Sequence, residues 1–307
     1  MEDKFIGTLV GLAIGDALGM PFEGMSALEI KEQFGKIYDF MPHPTSKLKP
    51  GQYTDDTEMM ICLAESIINS KEVVPEDVSR KYLSWYLSGD WRGIGRTTYK
   101  ALLNLKKGIS WQRSGISDKW SAGNGTAMRV APIGLFDWQD LAKLKRDAEL
   151  DAVITHNNPE AIAGSQAVAF TIARLVSGEV ELGNLIDEAC EFIGECELAK
   201  RLIYAKRLLE ANKPPEVALM MMGTSGYVVE TVPSALYCFL KSPRDFERTV
   251  ISCVMAGGDT DAVAAIAGAI SGAYNGLKGI PRRWVENVED SQKIQALAQK
   301  LFSITPQ

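Results

Sequence analysis

Apolar residues recur at helical spacing through almost all of this chain, and persuasive period-two alternation appears nowhere. That pattern predicts helices over residues 3–18, 26–34, 55–70, 75–88, 97–107, 138–153, 159–177, 182–195, 197–211, 215–222, 231–241, 244–254 and 260–278. The expected class is all-α. Val228-Val229 is the one candidate strand fragment, and two β-branched residues weigh little against the rest. The segments rich in proline and glycine, 43–51 and 212–215, are short and lie between apolar stretches, so they read as loops inside a domain. A single compact domain over 1–307 is expected, with no internal repeat to suggest a solenoid.

Two of the helices carry glycine at every fourth position: Gly7, Gly11 and Gly15 in one, Gly268, Gly272 and Gly276 in the other. Residues four apart share a helix face, so each set draws a smooth stripe that permits close backbone approach. Glycine inside a helix costs about 1 kcal/mol relative to alanine, and close packing is the compensation that such spacing suggests. These helices are expected to be central. Their stripes either touch each other or meet small residues elsewhere.

Composition narrows the function. A formal net charge of -6 with no concentrated basic face argues against a duplex nucleic acid partner. Five cysteines without CxxC spacing, most of them in apolar runs, fit a reducing compartment and hence a cytoplasmic protein. The apolar run from Phe5 to Met20 is broken by Gly7, Gly11, Gly15 and Asp16 and is short for a membrane span. It reads as a core helix, with no membrane association and with a monomer or weak oligomer expected.

Concentrated chemistry appears in two acidic clusters, Tyr53-Thr54-Asp55-Asp56-Thr57 and Gly257-Gly258-Asp259-Thr260-Asp261. Carboxylates at such density repel one another unless a cation sits among them, and ligation by oxygen alone favours Mg²⁺, Mn²⁺ or Ca²⁺ over zinc. Each cluster opens a helix, so ordinary capping and the helix dipole account for one or two of the acids. Capping struggles with two adjacent aspartates followed by Glu58, whose side chains fan out by about 100° per residue. Asp259 and Asp261 point about 200° apart on a regular helix, so both reach one site only if Asp259 lies in the loop that Gly257-Gly258 makes adaptable. Two acid-loaded helix starts in a helical chain suggest a shared two-metal centre.

Two further elements carry polar chemistry. In Ser121-Ala122-Gly123-Asn124-Gly125, small side chains expose successive amide N–H groups that a diphosphate can approach, although Asn-Gly is also a common turn. In Thr155-His156-Asn157-Asn158-Pro159, Asn158 caps a helix that Pro159 opens. His156 is one of only two histidines and is either a structural hydrogen-bonder or a site residue.

Together these elements resemble the ADP-ribosylglycohydrolases, the family that includes the dinitrogenase-reductase-activating branch. The resemblance rests on Gly15-Asp16-Ala17-Leu18-Gly19 with Glu23, Tyr53 to Thr57, Ser121 to Pro132, Thr155 to Pro159 and Gly257 to Asp261, in that order, and spans residues 5–276. It implies that Thr54, Asp55, Asp56, Asp259 and Asp261 hold two divalent cations, Mg²⁺ or Mn²⁺. It also implies a catalytic set of Glu23, Asp55, Asp56 and Asp261, with Glu23 on a mobile loop and Asp16 in support. Ser121, Gly123, Asn124, Gly125 and His156 would bind the substrate, an ADP-ribose conjugate on a protein or small molecule, with no organic cofactor.

Two departures stand out. Family members usually follow the late acid pair with threonine, whereas this chain has Ala262, which offers no oxygen. The dinitrogenase-reductase branch has an acid and an amide where this chain has Gly93 and Arg96, so an arginine-linked substrate is not implied. Trp91, Arg92 and Arg96 either help hold an anionic ligand or lie on the surface. A class I terpenoid synthase is the competing enzyme class, but Asp55-Asp56-Thr57-Glu58-Met59 lacks the fifth-position acid of its helix motif. A non-catalytic binder or structural protein that retains the fold is the other alternative, prompted by Ala262.

Overall fold

The computed structural model describes residues 1–306. Its helices in chain order are α1 (Glu2–Gly19), α2 (Ala27–Phe34), α3 (Asp55–Ser70), α4 (Pro75–Ser88), α5 (Arg96–Lys106), α6 (Trp111–Ser114), α7 (Ala131–Phe136), α8 (Leu141–Val153) and α9 (Pro159–Ser177). There follow α10 (Leu185–Ile193), α11 (Glu197–Glu210), α12 (Pro215–Met222), α13 (Val228–Lys241), α14 (Phe246–Val254), α15 (Thr260–Asn275), α16 (Arg282–Asn287) and α17 (Ser291–Ile304). Among the described residues only isolated β-bridges occur, at Ser26–Gly257, Ile116–His156 and Gly123–Tyr227. The class is all-α, as the periodicity predicts.

The axis of the molecule is the antiparallel pair α1 and α15, and the glycines explain it. A Cβ placed on Gly7 would lie 2.7 Å from the Gly272 carbonyl oxygen, one on Gly11 2.4 Å from that of Gly268, and one on Gly15 2.0 Å from that of Ala264. The two stripes therefore touch each other, backbone against backbone, in a single register. That register continues to Gly19, whose missing Cβ would sit 2.5 Å from the Asp261 Cα. The carboxyl end of α1 is thereby laid against the amino end of α15. Although α1 is long and apolar enough to cross a membrane, it is buried from Phe5 to Gly19 by the surrounding helices.

Several boundaries differ from expectation for local reasons. Val228-Val229 begins α13 and is not strand. Asp140 and Asp245 accept the N–H groups of Lys143 and Arg248, and so fix the starts of α8 and α14 at 141 and 246. α15 stops at Asn275 because Gly276 turns to φ 68. The last helix, α17, was not expected, yet Ile294, Leu297, Ala298 and Leu301 give it a buried stripe at helical spacing.

Candidate active site

Because α1 and α15 meet in register, the loop after α1 lies against the loop before α15. The Gly24 N–H donates to the Gly258 carbonyl (2.8 Å), and the Gly258 N–H donates to the Met25 carbonyl (2.8 Å). Gly257 and Gly258 hold φ of +71° and +83°, and a Cβ on Gly257 would collide with the backbone of residues 25–27. Glu23 is thereby fastened beside Asp259 and Asp261, with one carboxylate oxygen of each within 4.8 Å of the others.

The first acidic cluster joins them through Asp16. This carboxylate, fully buried on α1, accepts the Thr54 N–H (2.9 Å), the Thr54 hydroxyl (2.9 Å), the Thr57 N–H (3.1 Å) and the Thr57 hydroxyl (2.6 Å). The amino end of α3 is thus capped from another helix. Thr54 occupies the N-cap position but makes no capping hydrogen bond of its own. With its proton turned to Asp16, its oxygen lone pairs are left for another partner. Asp55 and Asp56 are free of capping duty and are 4% and 3% exposed.

The electrostatics are those of an uncompensated acid cluster. Burial, and then the neighbouring carboxylates, push Asp55, Asp56 and Asp261 well above the usual carboxylate range. Burial also lifts Glu23, aided by Asp259 and Asp16. Asp16 rises only to about 6, because its four hydrogen bonds oppose the desolvation. Asp56 Oδ1 is buried without any hydrogen-bond partner. An orphaned anionic oxygen among mutually repelling, all-oxygen donors fits a divalent cation. The residues that can hold one are Thr54, Asp55, Asp56, Asp259, Asp261 and Glu23.

This arrangement has a consequence for stability. Raised carboxyl values mean that the acid cluster favours the metal-free fold in acid and that this contribution is lost as pH rises through about 6, against a smaller opposing contribution from the single neutral His156. Chelator-treated protein is expected to unfold at lower temperature at about pH 7.5 than at about pH 5. Added Mg²⁺ should reverse this, by about 2.7 kcal/mol per site at a hundredfold excess over Kd. Thermal scans with and without the cation check it.

The acids line one side of a cavity of about 650 Å³, and Gly123, Asn124, Gly125 and His156 line another part of it. Asn124 connects the two groups by donating from Nδ2 to Asp259 Oδ2 (2.9 Å) and to Thr231 Oγ1 (3.1 Å). Asp259 therefore does not cap α15 with its side chain. The His156 ring fills the space under the loop, where a Cβ on Gly125 would lie 2.8 Å from Cε1. Burial and Arg129 push the imidazole down to about 3, so it is neutral at physiological pH. The Ser121 hydroxyl donates to the Asp118 carbonyl (2.6 Å) and does not line the cavity. A second cavity, about 670 Å³ and bounded by Lys36, Pro215 and Met255, has no comparable convergence of buried acids.

Trp91, Arg92 and Arg96, read in sequence as either ligand-holding or surface residues, divide. Arg92 is engaged by Glu289 and Glu58, and Trp91 stacks on Tyr86 and meets Tyr99 edge-on. Arg96 does line the cavity, joined by Lys100, Asp118 and Trp120, which carried no motif in the sequence.

A family model described as ADP-ribosylglycohydrolase matches residues 1–307. The chain belongs to the ADP-ribosylglycohydrolase family. It is similar to the ADP-ribosylarginine hydrolase Tri1 of Serratia proteamaculans, with 31% identity over 99% of this chain and 80% of the relative. It is also 29% identical to the ADP-ribosylhydrolase ARH3 of Gallus gallus, over 98% of this chain and 93% of the relative. A solved structure titled ADP-ribosylglycohydrolase-related protein complex superposes with a TM-score of 0.82 at 30% identity, covering 99% of both chains. Within this ADP-ribosylglycohydrolase fold, the departures fall at the site. Gly93 adopts φ +76°, where a Cβ would lie 3.3 Å from Asp55 Oδ1, and Ala262 lines the cavity beside Asp261.

Proposed function

We propose that this chain is a hydrolase dependent on two divalent cations, Mg²⁺ or Mn²⁺, that cleaves ADP-ribose conjugates at the anomeric carbon and releases ADP-ribose. The supporting observation is the convergence of Glu23, Asp55, Asp56, Asp259 and Asp261 on a cavity that also holds the Gly123–Gly125 loop and His156. Bound there, the cations would neutralise the acids and hold sugar hydroxyls in place.

The chain's own groups then have separable tasks. Asp55, Asp56, Asp259 and Asp261 hold the cations, with Thr54 as an oxygen donor and Asp16 fixing the α3 tip. Gly123 and Gly125 line the cavity with backbone that suits a diphosphate, and Asn124 ties that loop to Asp259. Neutral His156 acts by packing and hydrogen bonding rather than by charge. Glu23 is the carboxyl that moves a proton. It is raised in pKa, and its solvent-facing position lets it exchange with water as the bond to the anomeric carbon breaks.

The test is release of ADP-ribose from modified peptide, assayed with Mg²⁺, with Mn²⁺ and with chelator. Turnover that persists undiminished in chelator would refute the cation requirement. Ala262 supplies the one observation favouring a non-catalytic binder, since it puts a methyl group where an oxygen would help. Ala262→Thr is expected to tighten cation binding about tenfold, equivalent to about 1.4 kcal/mol. Unchanged affinity by calorimetry would count against the missing-ligand account.

A further inference from the structure

We propose that a buried relay of positioning residues, Tyr82, Asp151, Arg129 and Thr155, fixes His156 as the tautomer with its proton on Nε2, which then serves as a one-way donor to a diphosphate oxygen of the ligand. The choice of ligand rests on the ADP-ribose reading above. The relay starts from Arg129, which is charged yet has no exposed surface. A buried guanidinium is tolerated only when its charge and its N–H groups are matched. Arg129 Nε donates to Asp151 Oδ2 (3.0 Å) and Nη2 to the Asp151 carbonyl (3.0 Å), while the Tyr82 hydroxyl donates to Asp151 Oδ1 (2.7 Å). The guanidinium also lies over the Tyr82 ring, 4.7 Å from its centre. Tyr82 and Asp151 are themselves fully buried, on α4 and α8. Two helices thus hold the arginine in one pose.

The remaining nitrogen reaches toward the cavity. Arg129 Nη1 donates to the Gly125 carbonyl (3.0 Å) and to the Thr155 hydroxyl oxygen (3.0 Å), so one atom ties the Gly123–Gly125 loop to the residue before His156. The Thr155 hydroxyl lies 2.9 Å from His156 Nδ1 and, among the described residues, makes no other hydrogen bond. Arg129 can only donate, so the hydroxyl oxygen accepts from it and gives its own proton to Nδ1. The imidazole, kept neutral by burial and by Arg129, therefore carries its single N–H at Nε2. Among the described residues that N–H has no acceptor in the protein. Nε2 sits between the two glycines of the loop, 3.3 Å from where a Cβ on either would be, and the ring lines the cavity. The opposite tautomer would turn a lone pair toward the ligand and repel a phosphate oxygen.

The test reads the tautomer directly. The chain has only two histidines, so nitrogen-15 NMR of histidine-labelled protein resolves their ring nitrogens, with His43→Gln to assign them. His156 should show a protonated Nε2 and an unprotonated Nδ1. Thr155→Val removes the hydroxyl at nearly constant shape. The two His156 tautomers should then exchange, and Kd for ADP-ribose and for ADP should each rise about tenfold, the size of one hydrogen bond to a charged group. Thr155→Ser should restore both the NMR signals and the affinities, and Mn²⁺ affinity should stay unchanged in both variants. A parallel loss of Mn²⁺ affinity in Thr155→Val would overturn the proposal, because the hydroxyl would then be supporting the whole site. Unchanged affinity for ADP-ribose in that variant would do the same, as would a proton on Nδ1 in the unsubstituted protein, a result that needs no variant to fold. Hydrolysis is scored separately. If ADP-ribose binds through this donor and no conjugate is cleaved, the hydrolase reading fails and the relay stands, whereas an unsubstituted protein that binds neither ADP-ribose nor ADP would overturn both.

Discussion

Asp261→Asn is expected to reduce kcat/KM for ADP-ribose release by about a thousandfold and, in the metal-free protein, to raise the unfolding temperature. The two effects have opposite signs for one reason. Asp261 is 5% exposed, and its carboxylate is opposed by burial and by Asp259, Asp56 and Glu23. Its carboxylate accepts the adjacent Ala262 N–H (3.0 Å) and otherwise meets the Asp259 carboxyl, so the fold gains little from its charge. Removing that charge relieves repulsion within the acid cluster and takes away a proposed cation ligand at the same time. The variant should therefore also lose most of the stabilisation that Mg²⁺ gives the unsubstituted protein. Activity assays paired with thermal scans in chelator test this. A variant that loses stability as well as activity would show that the carboxylate holds the fold together.

Gly15→Ala is expected to destabilise the chain by about 3 kcal/mol or more. The new methyl would sit 2.0 Å from the Ala264 carbonyl oxygen and 2.4 Å from its carbon. Both are backbone atoms of a helix and cannot swing aside, so relief requires α1 and α15 to separate. Separation also moves Asp16 and Glu23 away from Asp261, so any folded remainder should turn over poorly. Gly95→Ala is the matched comparison. Its position has open space and φ of -67°, and its stability should stay within about 0.5 kcal/mol of the unsubstituted chain. Urea unfolding of both variants separates a contact effect from a general intolerance of alanine.

How much was legible in sequence follows from the distance over which each signal acts. The helices and the glycine stripes are local patterns, and the stripes proved to face each other. The acid clusters were visible because density of charge is a property of sequence. Their shared support was less so, because Asp16 caps α3 from 38 residues away, a pairing that no spacing rule reveals. Ordinary capping was one reading of each helix start, whereas the fold gives Thr54 to Asp16 and Asp259 to Asn124. Lys100 was invisible for a related reason, since a lysine on a predicted helix reads as solvent-facing until another element builds a cavity over it. The helix α17 was different: its spacing was present and went unused.

The most direct test of the account is anomalous scattering from crystals grown with Mn²⁺. Two peaks are predicted within about 2.3 Å of oxygens from Asp55, Asp56, Asp259 and Asp261. Saturating Mn²⁺ that leaves this cluster without a peak would contradict the central claim that the tips of α3 and α15 form a cation centre.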